Sequence, residues 1–157
     1  MPDTPAYLAG RLSKEGQKTQ EFFKDLTPEQ WALTVYSDGS QWTIRQILSH
    51  FVASEVSFTR LIENVLRGGS GAPEDFDTDA YNERKVRQLQ EISSTDLIAQ
   101  YGQVRERNVE LVSGMSADDL LREGRHPFLK VAPVKDMVKL IYRHNQIHQR
   151  DIRRLLK

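Results

Sequence analysis

Two histidines four residues apart, His144 and His148, interrupt the apolar stripe of the C-terminal segment VKDMVKLIYRHNQIHQRDIRRLLK. Residues i and i+4 are neighbours on a helix, with Cβ atoms about 6 Å apart, so both imidazoles can reach one point inside the fold. That is the spacing of a metal-ligand pair. Otherwise each inward imidazole needs its own buried hydrogen-bond partner, because ring nitrogens lose water on burial. Spacing alone leaves both alternatives open. The zincin motif is excluded, since His144 is followed by Asn145 where that motif has Glu.

Composition narrows the chemistry. The chain of 157 residues contains no cysteine, which removes disulfides, thiolate zinc sites and a protein thiol nucleophile. Any metal must be held by imidazole or carboxylate. Lys plus Arg and Asp plus Glu both number 22, so no net field draws in nucleic acid or an anionic membrane. No run of about 18 apolar residues occurs, and the first residues lack a basic start followed by an apolar run. The expectation is a soluble, cytoplasmic protein in which residues 1–157 form one domain.

The elements that must position the histidines are helices. Asp3 or Thr4 with Pro5 reads as a cap and first-turn proline, opening a helix to about Asp25 whose middle, around Ser13, Gly16 and Lys18, is thin in apolar residues. That middle is expected to face solvent or line a cavity. Thr27 restarts a short helix anchored by Trp31, and Ser37-Asp-Gly-Ser marks a loop. Thr43 caps a second long helix that ends near Leu66, before Gly68. On it, His50 lies about 110° from the centre of the apolar stripe by the 3.6-residue period, where a surface histidine is the plain reading. Glu55 lies nearer the middle of that stripe, where a carboxylate needs a cation, a histidine N–H or a raised pKa.

A Gly, Pro and Asp rich loop follows. Asp77 or Thr78 then caps a helix through Tyr81, Val86 and Leu89, and Ser93 caps another to about Val112. Ser116 starts one more turn, residues 124–129 read as an extended crossing, and Pro133 starts the last helix. No window shows sustained strand alternation. The fold class is all-α: a four-helix bundle with short additional helices in the connections.

Two segments, WTIRQILSHFVASE at 42–55 and HNQIHQRDIRRLL at 144–156, resemble the DinB-like superfamily of bacterial four-helix bundles. In that family a tryptophan and a helix cap precede an LxxH on the second helix. The last helix carries HxxxH and a basic-apolar tail. FDTDAYNERKV at 76–86 and HPF at 126–128 also look like segments of members. The resemblance implies a three-histidine site for a divalent transition metal, which maps onto His50, His144 and His148. It further implies Zn2+ or Ni2+, a homodimer, and in some relatives a transferase activity that uses a low-molecular-weight thiol such as bacillithiol or mycothiol.

Three neutral imidazoles leave a divalent ion with at least one open position, where water or a thiol can be activated. Imidazole donors also suit Fe2+ or Cu2+. With no cysteine in the chain, a thiolate must arrive from outside, so thiol attack on a small electrophile is one coherent activity. A metal-dependent hydrolase and a non-catalytic, metal-stabilised interaction module are the alternatives. Ligating histidines are usually oriented by hydrogen-bonded carboxylates, for which Glu55 and Asp151 are the candidates. For Glu55 an ion pair with an arginine is an equal reading. Ser54, Tyr81 and Asn82 are candidates for lining a substrate pocket. His126 reads as a stacking or hydrogen-bonding residue of the crossing. The basic tail of Arg150, Arg153, Arg154 and Lys157 complements the helix C-terminus and lacks the interleaved aromatics of a nucleic-acid surface.

Overall fold

The computed structural model describes residues 3–157. Side-chain caps open its helices where the sequence placed them. Thr4 Oγ1 accepts from Tyr7 N to start α1 (Pro5–Lys24), and Thr27 forms a capping box for α2 (Pro28–Trp31). Thr43 and Gln46 form a second box at the start of α3 (Ile44–Leu66). Asp77 caps α4 (Thr78–Gln88), Ser93 caps α5 (Ser94–Ser113), and Ser116 caps α6 (Ala117–Leu121). Each cap satisfies an amide that the first helical turn leaves without a partner, typically about 1 kcal/mol apiece.

After α6 the expected extended crossing is a paired hairpin. Residues Glu123–His126 form β1 and Lys130–Pro133 form β2, an antiparallel pair in which His126 faces Lys130 and Glu123 faces Pro133. Four-residue strands are too short to display alternation, which is why pattern reading passed over them. Pro127 suits the turn by fixing its φ, and Lys130 closes it with a φ of 61°. Pro133 then N-caps α7 (Val134–Leu155) without a side-chain hydrogen bond. The loop after α3 docks on β1: Arg125 N donates to Ser70 O and Ala72 N to Arg125 O, both at 2.8 Å. Gly71 sits between these bonds with φ at 91°, against the Arg125 backbone, where no side chain fits.

The four long helices α1, α3, α5 and α7 form the bundle. Helix α1 packs against α5 and α7, and α3 packs against the same two, so the consecutive long helices α1 and α3 lie across a diagonal. Two apolar clusters result. One joins Leu8, Leu12, Ile62, Val65, Val112 and Met137, and the other joins Phe23, Trp42, Leu48, Phe51, Tyr101 and Ile152. Each fully buried aliphatic or aromatic side chain contributes about 1.5–3 kcal/mol. Near the end of α7, Leu155 is exposed, and Leu156 packs on the second cluster.

A polar layer separates the clusters. Glu55 is 1% exposed and Arg105 3%. Arg105 Nε donates to both carboxylate oxygens of Glu55, at 3.0 and 3.1 Å, while its Nη1 reaches Leu12 O at 3.0 Å. Asn108 Nδ2 adds a bond of 2.6 Å to Glu55 Oε2. The thin middle of α1 now has its reason: a Cβ at Gly16 would lie 2.7 Å from Arg105 Cγ, so the glycine makes room for the buried arginine.

Candidate metal centre

Helix α7 presents His144 and His148 one turn apart, and α3 brings His50 against them, buried at 5% exposure. One nitrogen from each ring lies within 4.8 Å of the others. Nε2 of His50 and Nε2 of His144 stand 2.9 Å apart. Three nitrogens held about 2.1 Å from one ion at tetrahedral angles would be separated by about 3.4 Å, a spacing that small ring rotations would reach. The margin of α3 where His50 sits is the line along which α7 crosses it. Position on one helix wheel therefore understated its burial.

The surroundings fix the rings. Trp42 packs on His50 with ring centroids 4.8 Å apart, and Phe51 lies 5.7 Å from both His144 and His148. Ser54 Oγ is 3.4 Å from His50 Nδ1. Tyr36 OH is 2.8 Å from His148 Nδ1 and donates to Asp151 Oδ2 at 2.7 Å. A phenol has one proton to donate, and the carboxylate accepts that hydrogen bond. His148 Nδ1 must then be the N–H that Tyr36 accepts, which leaves the Nε2 lone pair free to bind a metal. His144 Nδ1 is buried with no hydrogen-bond partner among the described residues.

Burial drives the titration of all three rings. It holds His50 well below 6.5, with the charges of His144 and His148 adding to the effect. It lowers His144 to about 3, again helped by His148, and lowers His148 against the opposing pull of Asp151. Burial and then the bond to Asp151 raise the Tyr36 phenol, which stays protonated. At neutral pH the cluster is thus three uncharged imidazoles with unshared pairs, a donor set that fits a divalent transition ion.

Beside the cluster lies a cavity of about 320 Å³ whose lining includes His50, His144, Phe58, Phe76, His126 and Phe128. Ser54, Tyr81 and Asn82 also line it, and Tyr81 OH is hydrogen-bonded to Ser57. Asp151 is linked by hydrogen bonds to the histidines through Tyr36. Glu55 does not reach them: its carboxylate accepts from Arg105 and Asn108, so its candidacy as a histidine-orienting carboxylate is corrected to the ion pair. Sequence reasoning missed Tyr36, whose nearest local signal was the loop at 37–40. That loop folds back through Val35 N to Trp42 O at 2.9 Å and delivers both aromatic residues to the site.

Fold and site together define a helical bundle with converging, uncharged histidines beside a mostly apolar cavity. The chain belongs to the DinB superfamily, whose sequence profile matches residues 11–152. No curated protein matches the sequence significantly. Among solved structures, YfiT from Bacillus subtilis is described as "a probable metal-dependent hydrolase with an unusual four-helix bundle topology". It superposes with a TM-score of 0.79 at 18% identity, over 99% of this chain and 87% of its own. The mycothiol-dependent maleylpyruvate isomerase gives a TM-score of 0.78 at 12% identity, over 97% of this chain and 61% of its own. The colibactin self-resistance protein ClbS, solved with double-stranded DNA, gives 0.74 at 14% identity, over 100% of this chain and 98% of its own. At such identities the likenesses establish the fold alone. Among the described residues no helix is long and apolar enough to cross a membrane.

Proposed function

We propose that this protein is a metal-dependent enzyme in which His50, His144 and His148 hold one divalent transition ion, and that a small external thiol reacts there with an electrophile lodged in the adjoining cavity. The observation that carries the reading is the convergence of three uncharged imidazoles, two of which, His50 and His144, line a cavity walled mainly by apolar side chains. The family resemblance favours Zn2+ or Ni2+, and imidazole donors are compatible with Fe2+ and Cu2+ as well. Bound there, the ion would supply Lewis acidity that lowers the pKa of a thiol or of water. Trp42 and Tyr36 hold the rings of His50 and His148 in place, and Phe58, Phe76 and Phe128 keep the electrophile out of bulk water. A sulfur–carbon bond forms as the bond to the leaving group breaks, the leaving group taking its electron pair and the thiol proton passing to water.

A second reading, hydrolysis with water as nucleophile, is favoured by the description of YfiT and uses the same residues. The mycothiol dependence of the isomerase favours the thiol reading. Balanced charge, with 22 basic and 22 acidic residues, supports a small-molecule substrate over nucleic acid, although ClbS was solved with duplex DNA. The absence of cysteine fits a reducing cytoplasm, and the family resemblance supports a homodimer.

The test is an assay of metal-loaded protein with model electrophiles, in the presence of bacillithiol, mycothiol or glutathione and without thiol. Thiol-dependent turnover that His144→Ala abolishes is the expected result. Turnover without thiol would replace it with the hydrolase. No turnover, together with a melting temperature that falls on chelation, would leave a non-catalytic metal-stabilised module.

A further inference from the structure

His126 closes β1 at the start of the hairpin turn. Its Nδ1 accepts two backbone amides of that turn, Phe128 N at 3.0 Å and Leu129 N at 3.3 Å. Backbone amides can only donate, so Nδ1 carries no proton and the neutral ring must carry it on Nε2. The residue is 1% exposed, and Nε2 has no hydrogen-bond partner among the described residues. Burial lowers the ring to about 4, so it stays neutral through the physiological range. Here, then, is a buried N–H donor whose tautomer the fold dictates and to which no described residue offers an acceptor.

His126 also lines the cavity that His50 and His144 line. Phe58 stands between the two ends, its ring 5.9 Å from that of His126 and 6.1 Å from that of His144. Asparagine or aspartate could cap the turn as well. Only histidine caps it while holding a second polar group on the far side of the same ring. We infer that His126 Nε2–H is a substrate-recognition donor: it binds the carbonyl oxygen of a small, otherwise apolar molecule that lies along Phe58 with its other end toward the histidine cluster. The inference rests on the proposed reading in taking this cavity as the substrate site. It adds the substrate class, an apolar carbonyl compound, and its orientation.

The test uses the full chain as purified, with acetophenone as probe and cumene as the same shape without the acceptor. Long-range 1H–15N spectra of the imidazoles should show the Nε2–H tautomer at His126. Acetophenone should shift that N–H downfield and bind about tenfold tighter than cumene, the factor set by one neutral hydrogen bond to a donor otherwise unsatisfied. In His126→Asn, which keeps an acceptor for the turn amides, the preference should vanish. An Nδ1–H tautomer, equal binding of the two probes, or no binding of acetophenone would overturn the inference. All these readouts are independent of metal content, so their failure leaves the metal reading standing, and an absent metal leaves this one standing.

Discussion

Replacing Tyr36 with Phe removes one oxygen and the two hydrogen bonds it makes, 2.8 Å to His148 Nδ1 and 2.7 Å to Asp151 Oδ2. The ring stays, with its edge contact to His148 at 5.9 Å between centroids. Packing should therefore survive, and the fold should lose about 1 kcal/mol, because Asp151 is only half-buried and water can replace its lost donor. What changes is His148. Without the phenol, nothing holds its proton on Nδ1, and the tautomer that frees Nε2 is no longer favoured. Loss of such an outer partner typically costs 10–100-fold in metal affinity, or about 1.4–2.8 kcal/mol. Competition titration of Zn2+ against a chromophoric chelator should show that weakening, with the melting temperature of the metal-free protein lowered by a few degrees at most. If wild type binds one equivalent and Tyr36→Phe binds it with the same Kd within twofold, the assignment of Tyr36 as the group that orients His148 is wrong.

Other consequences concern stability. Glu55→Gln leaves the Arg105 guanidinium buried without its counter-charge and should cost about 3–5 kcal/mol in urea unfolding, against less than 1 for substitutions on exposed faces. Thr43→Ala removes the capping box of α3 and should cost about 1 kcal/mol by the same measurement. In chelated protein, unfolded histidines bind protons near pH 6.5 that the folded ones refuse, so stability is full above 6.5 and declines as pH falls. The decline continues toward about 4 for His126 and about 3 for His144, at no more than about 1.4 kcal/mol per pH unit for each. A urea midpoint that stays constant between pH 7.5 and 5 would contradict the burial of these rings.

Local chemistry was legible and tertiary partnership was not. The caps at Thr4, Thr27, Thr43, Asp77, Ser93 and Ser116 are set by residues within three positions of one another, so sequence order alone reveals them. Glu55 announced a need for a cation by its place on an apolar stripe. Its partner lies 50 residues away on α5, and no local pattern points there. The pair His144 and His148 is readable from helical spacing, whereas His50 came from the family resemblance, because the crossing of α3 and α7 decides which margin is covered. Tyr36 lies 112 residues from His148 in a loop, invisible to periodicity. The hairpin at 123–133 depends on a turn capped by a histidine side chain, a device that strand alternation does not encode.

Anomalous diffraction from crystals grown with Zn2+ or Ni2+ tests the central proposal most directly. It should give one peak about 2.1 Å from a nitrogen of each of His50, His144 and His148. No peak at that point, or a peak held by His144 and His148 with the His50 ring turned away, would contradict it.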